Sequence, residues 1–192
     1  MTYTRKPEHW ATDTKQRHVF ERQMRKAITD DGEFELLDST DSFDEVDFEL
    51  GFRGRRVFLE VKEKRQHYRE AWTSCCEVAE TDLFILDELS ARKIVLRAPR
   101  AYLVVNDILN ERLVLFSALD LISVPKTRVN RSIDAGVATF KGKWLIDLRH
   151  GFQATTLKDA LDCLKRRHNS EDELWSSLAC YGRYQNERVP RL

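Results

Sequence analysis

The sequence predicts an α/β layer sandwich built around a mixed sheet, and three observations carry that expectation. Helical periodicity opens and closes the chain, three short apolar segments separated by turn residues follow the first helix, and a short β-branched run comes after a second helical stretch. With 192 residues and 42% apolar content the chain can bury a full core, which predicts one domain over 1–192.

Taken in order, residues 16–28 place Phe20, Met24, Ala27 and Ile28 at i, i+4 and i+7/i+8, an amphipathic helix that contains Glu21 and ends before Asp30-Asp31-Gly32. The polar residues ahead of it predict a loosely held start. Segments 33–37, 45–52 and 55–63 read as strands, with Gly51 and Gly54 marking the second connection as a hairpin. Residues 66–80 read as helix, leading to the apolar run 82–86, which either extends that helix or begins a new element. A better-defined helix covers 87–97 and is stopped by Pro99. Residues 101–105 form a buried strand, and 113–124 hold at least one more. Segments 137–140 and 144–148, joined by Lys141-Gly142-Lys143, read as a hairpin. The tail returns to helix at 156–167, through Leu157, Ala160, Leu161 and Leu164, and again at 171–181, through Leu174, Trp175 and Leu178.

Composition narrows the class. No apolar run approaches the roughly 18 residues that span a bilayer, and MTYTRKPEHW has no apolar signal region, so a cytoplasmic protein is expected. Cys75, Cys76, Cys163 and Cys180 form no C-x-x-C pair and predict reduced thiols rather than a disulfide framework or a zinc site. A net charge of zero hides segregation: residues 30–50 hold ten acids and no base, which leaves 22 acids against 32 bases elsewhere. Such a run is either solvated surface or a cation site facing a polyanion.

The chemistry concentrates in Val46-Asp47-Phe48-Glu49-Leu50 and Val57-Phe58-Leu59-Glu60-Val61-Lys62. Ionised groups among apolar strand residues cost several kcal/mol each unless a partner or metal meets them. Period-two alternation puts Glu60 and Lys62 on one face of their strand, and antiparallel pairing through the hairpin brings Asp47 beside Glu60. Two carboxylates on neighbouring strands make half of an octahedral oxygen site for a hard cation such as Mg²⁺, and a lysine beside them can hold or help deprotonate an attacking water.

Asp47, then Glu60-Val61-Lys62 on an apolar strand, then a helix, resembles the PD-(D/E)xK nuclease superfamily, whose restriction-endonuclease-like core runs αβββαβ. The resemblance covers about residues 16–106, and 107–192 would be a C-terminal elaboration with a hairpin and helices. It implies that Asp47 and Glu60 bind metal through their side chains and Val61 through its carbonyl. It also implies that Lys62 positions the water and that Glu21, in Val19-Phe20-Glu21-Arg22-Gln23-Met24, acts on the metal from the first helix. The implied cofactor is Mg²⁺, with Mn²⁺ as substitute. The chain departs from the pattern in having Glu45-Val46, without a proline, before Asp47.

E-x-K alone is weak, arising about once by chance in a chain of this length, and Asp13-Thr14-Lys15 has no strand context. The competing reading is a cross-strand ion pair of Glu60 and Lys62 on a solvated face, with Asp47 in an acidic loop. Arg53, Arg55, Arg56, Lys64 and Arg65, with Arg92, Lys93, Arg97 and Arg100 on the later helix and Lys126, Arg128 and Arg131 in a further cluster, are candidates for phosphate contact. Gln66 and Tyr68 are placed at the start of a helix that could face the cleft. His18, His67 and His150 lack the pairing that metal-free general-base chemistry needs.

The expected function is therefore a metal-dependent nuclease acting on nucleic acid, DNA first. A protein partner or a second copy would assist targeting, since zero net charge gives little free-standing attraction to DNA. The alternative is an inactive nuclease-like module that binds nucleic acid or assembles a defence, repair or recombination complex.

Overall fold

The structure is a computed structural model that describes residues 7–38, 45–132 and 140–180. Helix α1 (Pro7–Asp31) leads to strands β1 (Glu35–Asp38), β2 (Phe48–Phe52) and β3 (Arg55–Lys64). A crossover then carries a short helix α2 (Glu70–Thr73), strand β4 (Leu83–Asp87) and helix α3 (Glu88–Val95) to strand β5 (Ala101–Asp107). There follow β6 (Arg112–Ser117), α4 (Ala118–Ser123), β7 (Lys126–Ser132), β8 (Phe140–Asp147), β9 (Phe152–Ala154) and α5 (Leu157–Cys180).

The main sheet has the order β1-β2-β3-β5-β6-β9, parallel between β3 and β5 and antiparallel elsewhere. A parallel neighbour demands a long crossover, and residues 65–100 supply it. A second antiparallel sheet, β4-β8-β7, draws its first strand from that crossover. The mixed α/β architecture, a mixed central sheet flanked by helices, is the expected one.

Burial explains the layering. Phe20, Met24 and Ile28 of α1 and Leu161 and Leu164 of α5 join Leu59, Val61, Tyr102 and Val104 in one apolar cluster. Leu103 and Val105 face the other way, into a second cluster with Phe84, Ala91, Ile94 and Ile146. Strand β5 is thus covered on both faces, which is why it reads as a continuous apolar run. In β3, Val57, Leu59 and Val61 belong to the first cluster, while Phe58 packs on the second, so Glu60 and Lys62 project on the α3 side of the sheet.

Several elements differ from the sequence expectation. Helix α1 begins at Pro7 and runs on to Asp31. The β2–β3 turn is the two residues Arg53 and Gly54, at φ 50° and 74°, so both sit in the left-handed region of a type I′ turn. Gly51 instead lies inside β2, opposite Arg56. Residues 66–80 hold only the four-residue α2, because the buried Lys64 ammonium captures the carbonyls of Glu80 and Thr81 at 2.7 and 2.8 Å. The Glu80 carboxylate in turn accepts from Tyr68 N at 2.9 Å, so the segment closes as an anchored loop. Residues 83–87 are strand β4, and 113–124 divide into the end of β6 and α4.

Lys141-Gly142-Lys143 is no turn but the interior of β8, whose hairpin partner is β7. A Cβ at Gly142 would lie 1.7 Å from Glu88 Oε2, so a larger residue there would push the Glu88 carboxylate aside where α3 begins against the strand. Residues 137–139, assigned to the expected hairpin, lie outside those described. The two C-terminal helices are one, α5, continuous through the buried His168, whose ring meets Phe52 edge-on at 5.7 Å.

Candidate active site

Asp47 stands one residue before β2, and extending the Phe48↔Leu59 register by one residue places it opposite Glu60. Its carboxylate is turned inward, with Oδ2 accepting from Val61 N at 2.8 Å. The expected neighbours therefore meet: Asp47 and Glu60 on adjacent segments, with the Val61 backbone between them.

Lys62 Nζ lies at the centre of this group. It is 2.6 Å from Glu60 Oε1, and it donates to Val61 O at 3.0 Å and to Asp47 Oδ2 at 3.3 Å. The Glu60 side chain is 1% exposed, yet neither of its oxygens accepts a hydrogen bond; the Lys62 contact is an ion pair off the hydrogen-bonding line. A buried carboxylate that has an ion pair but no hydrogen bond is only partly compensated for its lost hydration. Asp47 and Glu60 are oxygen donors and Val61 O is a third, so the residues fit a hard divalent cation. Among the described residues no three His, Cys, Asp or Glu side chains converge, so Glu21 does not join Asp47 and Glu60 in one cluster. Glu21 is half-buried on α1, next to Phe20, on the helix that covers the opposite face of the sheet.

A second lysine completes the site. Lys93 of α3, 9% exposed, donates to Glu45 O at 2.7 Å and lies 3.9 Å from Glu60 Oε1. One turn on, Arg97 pairs with the Glu45 carboxylate and lies over the Phe58 ring at 5.4 Å. Helix α3 thus holds the segment that leads into Asp47. Sequence reasoning placed Lys93 among the phosphate-reaching bases, although its spacing from Ser90, Ile94 and Arg97 puts it on the buried stripe of the helix.

The other expected phosphate contacts are scattered. Arg53, Arg55 and Arg56 sit at the hairpin tip, about 20 Å along β3 from Lys62 at the usual rise per residue. Arg56 pairs there with Glu49 at 3.0 Å. Lys64 is buried, its pKa pulled below the usual lysine range by desolvation against the opposing pull of Asp107. Tyr68 is a support residue: its hydroxyl accepts from Ile85 N at 3.3 Å, and burial pushes its pKa up to about 12. Arg92 and Arg128 both pair with Glu88, Arg65 pairs with Glu63, and Lys126 lies over the Trp144 ring at 5.2 Å. His67 pairs with Glu80 and His150 approaches Asp147.

No protein-family model and no curated protein sequence matches this chain. Among solved structures, its chain path is similar to that of Archaeoglobus fulgidus Hjc, a Holliday junction resolvase from an archaeal hyperthermophile. The TM-score is 0.43 at 13% identity, over 72% of this chain and 91% of that chain. Among the described residues no helix is long and apolar enough to cross a membrane.

Proposed function

We propose that this protein is a metal-dependent nuclease of the PD-(D/E)xK superfamily, hydrolysing phosphodiester bonds in DNA. The observation that carries the reading is the Glu60 carboxylate, buried beside the inward-facing Asp47 and, among the described residues, ion-paired to Lys62 without a hydrogen bond. A solvated ion pair of Glu60 with Lys62, the competing reading, would leave Glu60 open to water, and its side chain is 1% exposed.

Asp47, Glu60 and the Val61 carbonyl would hold Mg²⁺, or Mn²⁺ in its place. Such an ion supplies Lewis acidity, lowering the pKa of a coordinated water and neutralising phosphate charge. The Val61 amide fixes the orientation of the Asp47 carboxylate, and the buried β3 backbone fixes Glu60 and the Val61 carbonyl. Lys62, the most exposed of the four charged side chains at 24%, can reach a phosphate oxygen or orient the attacking water. Lys93 keeps α3 closed over Glu60 and positions Glu45 ahead of Asp47. Glu21, on the helix that covers the opposite face of the sheet, stands outside this group.

The test is cleavage of linear, supercoiled and branched DNA and of RNA, with Mg²⁺, Mn²⁺ or chelator. The wild type should cut DNA only with the divalent ion. Asp47→Asn, Glu60→Gln and Lys62→Met should lose roughly 10²–10⁴-fold while remaining folded. Undiminished cleavage by these variants, or a wild type inert on every substrate, rejects the assignment.

A further inference from the structure

The three oxygens proposed to hold a divalent ion already share a cation, the Lys62 ammonium, at 2.6, 3.0 and 3.3 Å. We propose that Lys62 is the resident cation of the metal-free site, and that taking up a divalent ion and releasing Lys62 toward the substrate phosphate are one exchange. This rests on the nuclease reading above and adds to it an order of events that the motif alone does not contain.

Volume is the first argument. Magnesium–oxygen distances are about 2.0–2.1 Å, so an ion sharing these three oxygens would fall within the space the ammonium fills. The ammonium must move out before such an ion can bind. Charge is the second. Asp47 and Glu60 against Lys62 and Lys93 balance at two negative and two positive in the metal-free cluster. A divalent ion added with both lysines in place would leave an uncompensated double positive charge at a buried carboxylate. Moving Lys62 outward relieves that repulsion, and a phosphodiester arriving beside it supplies the anion that the ammonium has left behind.

The two lysines are unequally free to move. Lys93 is 9% exposed and held at 2.7 Å by the Glu45 carbonyl, whereas Lys62 is 24% exposed on an unbranched stem. Lys93 therefore stays as the fixed neighbour of Glu60, and Lys62 is the side chain that exchanges. Because the freed ammonium gains a phosphate partner, DNA and divalent ion should each raise the affinity for the other.

The experiment is calorimetric titration of the full chain with Mn²⁺ alone, and again with a short phosphorothioate duplex present. Lys62→Met, and Lys62→Gln as a second variant that retains polarity, should bind Mn²⁺ on the order of tenfold more tightly than the wild type while failing to cleave. The duplex should tighten Mn²⁺ binding severalfold in the wild type and little in either variant. If Glu60→Gln abolishes Mn²⁺ binding but both Lys62 variants bind no more tightly than the wild type, the exchange is wrong and the metal site stands. Absence of Mn²⁺ binding in every protein overturns both.

Discussion

The Asp47 carboxylate takes the place of a main-chain carbonyl: by accepting the Val61 N–H at 2.8 Å it prolongs the β2–β3 pairing beyond Phe48 and Leu59. One side chain therefore has a structural bond and a proposed chemical role. Asp47→Ala should cost about 1–3 kcal/mol, because a buried amide loses its acceptor. Asp47→Asn keeps an acceptor oxygen and should unfold within about 1 kcal/mol of the wild type, yet be as inactive as the alanine variant. Urea denaturation beside a cleavage assay separates the two effects.

Lys93 should behave unlike its helix neighbour. Lys93→Met removes the donor to the Glu45 carbonyl and should cost about 1–3 kcal/mol, with cleavage falling roughly tenfold to a hundredfold as Asp47 loses its support. Arg92→Met, at an exposed residue paired along its own helix with Glu88, should stay within about 0.5 kcal/mol and keep full activity.

Lys165 ties the two long helices together. Its ammonium reaches Asp31 at 3.0 Å, Glu33 at 2.7 Å and Asp162 at 2.9 Å. Burial pulls its pKa down, but hydrogen bonds to these carboxylates outweigh that and raise it. Lys165→Met leaves the Asp31 carboxylate, its side chain 6% exposed, without this partner and should cost about 3 kcal/mol, read as a lowered denaturation midpoint at pH 7.

Stability should also carry the signature of Glu171, which accepts from the buried Tyr102 hydroxyl at 3.2 Å. Burial pushes its carboxyl above the usual 4.5, against the opposing pull of Ser117, Tyr102 and Arg167. The fold therefore favours the protonated form. That contribution is fully present below pH 4.5 and is lost as pH rises through the raised value. Glu171→Gln should melt above the wild type at pH 7, with the gap closing as pH falls below 4.5; a constant gap would contradict the assignment.

The site was legible where a local rule fixed it. Period-two alternation placed Glu60 and Lys62 on one face, and the hairpin brought Asp47 opposite, because both follow from strand geometry near the turn. What escaped depended on partners far along the chain. Nothing local shows that Lys64 will draw the Glu80 and Thr81 carbonyls inward, which leaves most of 66–80 without helix. Nor is Gly142 distinguishable from a turn glycine until Glu88 is found against it. The acidic run was ambiguous for the same reason: Asp31 and Glu33 meet Lys165, and Glu45 meets Arg97, all remote in sequence.

Strand β4, inserted in the crossover between β3 and β5, has its ladder partner in β8, beyond residue 106. A fragment ending at 106 would carry every residue of the proposed catalytic motif and yet strip β4 of its main-chain bonds, β5 of β6, and α1 of the packing it receives from α5. Chemistry and foldability thus have different minimal lengths in this molecule: the shorter piece is expected to be insoluble, and engineering of the motif must keep the distal half attached.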